Sequence, residues 1–184
     1  MPGLDQIFSH VCSQGHCWAP GGNLLPFCQR CTGLYVGGAL ALMLCGLFRP
    51  RPTSLVLCVH GVLLLIMVPF GYHLVPQNGT IRTLTGQLFA FGLIYYLALN
   101  PAVQLGVWRK RHNGSALAYG FGALAAIAAL QLVVHGGGAT TGAALGWVGF
   151  IGLLVYTMLA IGNLLILPAT IWRLLHSTRS PTGI

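Results

Sequence analysis

The sequence predicts an all-α, polytopic membrane protein of about five transmembrane helices, with a short cysteine-rich cap at its N-terminal end. Three observations carry this prediction. Of 184 residues, 55% are hydrophobic and only 5% are charged, against roughly 25% charged in an ordinary soluble domain. Mean hydropathy is +0.78. So few charges cannot cover a water-facing surface of this size, so much of that surface must face lipid. The apolar residues also fall in continuous runs close to the ~20 residues needed to cross ~30 Å of hydrocarbon. Finally, the basic residues concentrate in alternate connections between those runs.

The runs follow one another at clear punctuation. The first extends from about Thr32 to Phe48 and ends at Arg49-Pro50-Arg51-Pro52, since proline cannot continue a helix and guanidinium avoids hydrocarbon. The second covers about Thr53 to Leu74 and closes at Pro76-Gln77-Asn78-Gly79. The third runs from about Thr83 to Leu99, with an apolar extension past Asn100-Pro101 to Trp108, before the loop Arg109-Lys110-Arg111-His112-Asn113-Gly114. The fourth is about Ser115 to His135, stopped by Gly136-Gly137-Gly138. The fifth begins near Gly142 and reaches Leu167, with Pro168 as a kink and Trp172-Arg173 as an interfacial anchor. Strands are excluded, because the runs are long and continuous rather than alternating. Gly33-x3-Gly37 and Gly142-x3-Gly146 have the spacing of small residues at close helix contacts.

No cleavable leader is expected, because the first apolar run starts after residue 30 and the preceding stretch is polar and cysteine-rich. Orientation follows from the basic loops. Five spans place Arg49, Arg51, Arg109, Lys110, Arg111, Arg173 and Arg179 on one side and Arg30 and Arg82 on the other. The positive-inside rule then puts the C-terminus in the cytoplasm and the N-terminus outside it, in the plasma (inner) membrane of a bacterium. The expected layout is an extracytoplasmic Cys/His-rich cap over 1–31, a five-helix domain over 32–176 and a cytoplasmic tail over 177–184.

Charge and composition also exclude function classes. The net charge of +8 is accounted for by topology, so nucleic acid is not expected as a partner. Asp5 is the only carboxylate side chain in the chain. That removes two-carboxylate hydrolysis, carboxylate-rich metal cages and an ordinary Ser-His-Asp triad. No phosphate-cradling glycine loop is present.

The chemistry concentrates in the cap. Cys12, Cys17, Cys28 and Cys31 form Cys-x4-Cys-x10-Cys-x2-Cys around the turn-forming Pro20-Gly21-Gly22. Two short-spaced pairs facing each other can set four thiolates around one tetrahedral ion at ~2.3 Å, which points to zinc. His16 or His10 could substitute for either of the less regularly spaced cysteines. The same four residues also admit two other states: a pair of inert disulfides, which persist outside the cytoplasm, or a working dithiol at Cys28 and Cys31. The latter resembles the arrangement in quinone-linked, disulfide-forming membrane enzymes. Cys45 and Cys58 lie inside apolar runs as small hydrophobes.

Arg30, His73, Arg82 and His135 fall on the same face as the cap and are candidate binding residues, because ionisable groups at the membrane edge are costly. Arg82 breaks the charge bias and opens a helix, a poor place for a cation. A lipid phosphate, a carbonyl cluster or Asp5 would explain it.

The segment Leu25-Pro26-Phe27-Cys28-Gln29-Arg30-Cys31-Thr32-Gly33-Leu34-Tyr35-Val36-Gly37 resembles the signature of the DUF2085 family of predicted small membrane proteins. Cys12, Cys28, Arg30, Cys31, Gly33 and Tyr35 match it, and Arg82-Thr83-Leu84-Thr85-Gly86 is similar to a second element of the family. The resemblance covers about the first 95 residues. It implies the fold and the site, and no reaction. Two departures stand out: Cys17 occupies a position where many relatives lack cysteine, and Phe70-Gly71 replaces an acidic residue. Together these readings describe a membrane protein with an extracytoplasmic zinc site that serves as an accessory subunit or binding module. Its expected partners are the lipid bilayer and other membrane subunits or copies of itself. The alternative is a thiol–disulfide oxidoreductase with quinone as its acceptor.

Overall fold

The structure, a computed structural model, describes residues 4–12, 15–72, 74–104 and 116–177. Among these residues every regular element is a helix. A short helix α1 (Leu4–Val11) lies in the cap. Five long helices follow: α2 (Gln29–Phe48), α3 (Ser54–Gly71), α4 (Gly79–Gln104), α5 (Ala116–Gly136) and α6 (Ala139–Ser177). His73, the loop containing Arg109, Lys110 and Arg111, and the tail with Arg179 lie outside the described residues.

Local chemistry sets each helix start. Cys28 caps α2, its sulfur accepting from the Cys31 amide. Thr53 Oγ1 accepts from the Val56 amide at 3.3 Å to open α3, and Asn78 Oδ1 accepts from the Ile81 amide at 2.8 Å near the start of α4. Each side chain satisfies an amide that the first helical turn leaves without a partner. Helix α2 ends where Arg49 adopts φ 45° ahead of Pro50, a left-handed terminus that proline then makes final. The first span therefore starts three residues before Thr32, so Arg30 and Cys31 belong to its first turn. Helix α6 passes through Pro168 without ending. At 39 residues and 1.5 Å per residue it is about 58 Å long, well beyond the ~30 Å of a hydrocarbon core.

Among the described residues four helices, 29–48, 54–71, 116–136 and 139–166, are long and apolar enough to cross a membrane. Helix α4 is not among them. It carries Arg82, Gln87 and Asn100, and it is the helix the others surround, packing on α2, α3, α5 and α6. Burial inside protein lets α4 hold polar groups that lipid would penalise. Thr83, Thr85 and Gln87 are all buried there. Large apolar residues that remain exposed line α3, α5 and α6, among them Leu65, Leu124 and Met158, as surfaces meeting lipid require.

Glycines set the helix spacing. Gly33 and Gly37 of α2 both lie against α4, Gly33 over the Thr83 carbonyl and Gly37 over Gln87. Gly86 of α4 answers them over the Arg30 carbonyl. The second small-residue pair serves differently, with Gly142 packed on Pro20 of the cap. Residues 32–36 form one π-helical stretch, a widening that recurs near functional sites.

Two cores result. One, at the cap end, joins Phe8, Phe27, Tyr35, Val134 and Leu145. The other, toward the opposite end, joins Cys45, Phe91, Ile94, Tyr95 and Tyr119. In the second, His60 is buried and polar. Its Nδ1 faces the Val56 carbonyl at 2.7 Å and so must carry the proton. Nε2 is then the acceptor for the Tyr119 hydroxyl at 3.1 Å, which receives the Cys45 thiol at 3.7 Å. The ring stacks on Tyr95 at 4.1 Å. This chain ties α2, α3, α4 and α5 together. Tyr119→Phe strands both neighbours and should lower stability by about 1 kcal/mol, the scale of interhelical hydrogen bonds in membranes. An SDS titration of the purified protein in detergent measures it, and an unchanged midpoint would count against the chain.

Candidate metal centre

Helix α1, which the polar look of residues 1–29 concealed, is held down by Phe8. Phe8 is fully buried against Phe27 and Tyr35, with ring centroids 4.8 and 5.5 Å apart. That anchor fixes where α1 ends, and Cys12 follows immediately. The chain then loops back. Cys17 pairs with Cys28 in a single antiparallel bridge, the Leu25 amide donates to the Trp18 carbonyl, and the Gln29 amide donates to the His16 carbonyl. Gly21 and Gly22 make the turn at φ +62° and +84°, a region open to glycine at little cost.

This loop brings the sulfurs of Cys12, Cys28 and Cys31 within 4.8 Å of one another. The Cys28 amide donates to Cys12 Sγ at 3.2 Å and the Cys31 amide donates to Cys28 Sγ at 3.4 Å. Amide donors favour the thiolate form, as metal ligation requires. Thiolates around a tetrahedral zinc at ~2.3 Å sit about 3.8 Å apart, so the group needs to contract by no more than about 1 Å. The donor set therefore fits a soft divalent ion. The Cys28 thiol is pulled down to about 5, chiefly by hydrogen bonding from Cys31 and further by backbone amides and Cys12, with burial opposing.

Cys17 is not within the group of three. Burial raises its thiol, and the neighbouring Cys12 and Cys28 add to the rise, so it is close enough to feel them. Neither histidine belongs to the group either. His10 is exposed, its Nδ1 engaged with the Gln6 carbonyl at 2.8 Å, and His16 is exposed as well. Tyr35, named by the sequence only as part of a motif, lies beside the Cys31 thiol. Its place one helical turn after Cys31 is the signal that could have singled it out.

The cap is clamped to the bundle. Trp18 Nε1 donates to Thr83 Oγ1 at 2.7 Å. Its ring meets His135 edge-on at 4.7 Å, and Thr80 Oγ1 reaches His135 Nε2 at 3.1 Å. Because His135 Nδ1 faces the Gln131 carbonyl at 2.7 Å, Nε2 is the acceptor in the neutral ring. Arg30 turns away from the sulfurs. It donates to the Phe70 carbonyl at 3.0 Å and to Gln77 Oε1 at 2.6 Å, while Gln77 Nε2 also donates to Phe70 at 2.6 Å. A guanidinium on the last carbonyls of α3 satisfies the end that a helix leaves open. Arg82 is half-buried and its Nε has no hydrogen-bond partner.

Residues 12–96 match the model of DUF2085, a family described as predicted membrane protein. The matched segment holds the three clustered cysteines, Tyr35, Arg30 and Arg82, helices α2 and α3, and α4 as far as residue 96. No curated protein and no solved structure matches the chain.

Proposed function

From a membrane-protein family match that contains the whole thiol cluster, we propose that the cap binds one zinc ion and that the chain is an accessory subunit or binding module of a larger membrane complex. The single observation behind the metal is the closed group of Cys12, Cys28 and Cys31, with two amides directed at its sulfurs. Cys17 is the nearest further thiol, and its movement toward the group would complete a four-thiolate site. Zinc would supply folding energy that a cap of this size cannot draw from its own core. The cap would face the extracytoplasmic side, opposite the basic loops. The accessory role rests on the apolar helix faces left open to lipid or neighbours and on the scarcity of acid–base groups.

The test is metal content per chain, by elemental mass spectrometry on protein purified in mild detergent without chelator or nickel resin. About one zinc per chain is expected. No metal, with the cap cysteines oxidised, would overturn the reading.

One observation favours a second reading, a thiol–disulfide oxidoreductase. The Cys28 thiol lies far below its ordinary value, which suits an exchanging cysteine. The Cys28–Cys31 pair, reduced by a substrate dithiol, would return to the disulfide by giving two electrons and two protons to a quinone, forming quinol. Cys31→Ser should then trap a mixed disulfide through Cys28. Reduced protein that reacts with neither quinone nor protein disulfide would exclude it.

A further inference from the structure

Helices α3 and α5 both lean on α4, and between them a cavity of about 380 Å³ opens sideways. It lies at the end of the bundle remote from the cap. Its α3 wall runs from Leu55 to Leu63 and its α5 wall from Ala116 to Ile127, with Phe91 of α4 at the back. At 1.5 Å per residue these walls are about 12 and 16 Å long, half of the ~30 Å hydrocarbon thickness.

With the Arg49–Arg51 link at a membrane surface, walls of that length would span one leaflet. A partner helix would need a groove through both leaflets and 8–10 Å between axes. A single acyl chain of one leaflet needs no more than this. The floor agrees. His60 and Tyr119 are the polar side chains of the lining, and their hydrogen bonds close on Val56, on each other and on Cys45. They ask nothing polar of an occupant, as hydrocarbon requires. The cavity is also remote from the thiol cluster, since Cys31 and Cys45 are 14 residues apart along α2, about 21 Å.

The link that leads into the α3 wall carries charge. Arg49 and Arg51 stand in it just ahead of Leu55, Arg49 with its Nε donating to the Gly46 carbonyl at 3.2 Å and Arg51 exposed. Basic side chains at the membrane surface attract anionic headgroups.

We infer that this cavity is a binding site for one anionic glycerophospholipid, one of its two acyl chains between α3 and α5 and its phosphate at Arg49 and Arg51. The site is independent of the metal proposal.

Native mass spectrometry of the full chain in mild detergent, with added phosphatidylglycerol or phosphatidylcholine, tests it. One phosphatidylglycerol per chain should be retained in preference to phosphatidylcholine. Arg49→Gln with Arg51→Gln should weaken that retention roughly ten- to thirtyfold, from two basic contributions at an anionic surface. Gly120 lines the cavity and a Cβ there meets nothing within 4 Å, so Gly120→Leu should fill the space and abolish retention. An unchanged melting profile for Gly120→Leu keeps that loss from being ascribed to unfolding; if that variant is unstable, Ala123→Leu takes its place. Equal retention of both lipids, retention by the filled variant, or a lipid-free dimer that the filling variant dissociates would each overturn the assignment.

Discussion

Replacing Cys28 by serine is expected to reduce bound zinc from about one per chain to near none and to release the cap from the bundle. The substitution is selective. Cys28 Sγ caps α2 by accepting from the Cys31 amide at 3.4 Å, and a serine oxygen performs that task at least as well. Helix α2 should therefore start where it does now, while the metal loses one of three clustered ligands. Structural zinc in small cysteine sites carries an apparent ~10–16 kcal/mol of folding free energy. Beyond the metal, the cap is held by the Phe8 cluster, the Trp18 clamp and the contact of Pro20 with Gly142. Limited proteolysis should then cut within the first 28 residues of the variant and spare the parent. Cys12→Ser should behave alike although it lies on another segment, and Cys58→Ser should retain full metal. Unchanged metal content in Cys28→Ser would end the zinc reading.

Gly152→Ala is expected to be the most damaging single methyl added to the bundle. A Cβ there would overlap the carbonyl oxygen of Tyr35 and come within 2.6 Å of its carbonyl carbon. The obstacle is backbone, which cannot turn aside as a side chain can. Helix α6 would have to move off the π-helical stretch at residues 32–36, and Tyr35 would be drawn from Cys31. Overpacking commonly costs about 1–3 kcal/mol, and a rigid backbone obstacle puts this site at or above the upper figure. Gly162→Ala is the control, because nothing lies within 4 Å of a Cβ there. It should be neutral or slightly stabilising through helix propensity. Equal unfolding midpoints for the two variants would remove the claim that Gly152 sets the spacing of α2 and α6.

The candidate site was legible in the sequence to different depths. Cys28 and Cys31 were readable because their spacing closes within one turn. Cys12 was readable as a candidate, but its partnership with that turn was not, because Cys12 and Cys28 stand sixteen positions apart and their meeting depends on Phe8 burying itself against Phe27 and Tyr35. The standing of Cys17 apart from the three sulfurs is equally invisible in spacing. Arg30 was readable as a candidate binding residue on the cap face, and only the structure shows it spent on the Phe70 carbonyl and Gln77.

By itself the sequence determined the solvent, the helical class, the approximate spans and the chemical character of the cap. These depend on sums of transfer free energy along short windows and on local stops such as Arg49-Pro50. The tertiary structure alone decided that α4 is the enclosed helix, that Gly33, Gly86 and Gly152 meet backbone, and that His60, Tyr119 and Cys45 join in one chain. Those outcomes depend on which faces meet across distant segments, and periodicity fixes a face without naming its partner.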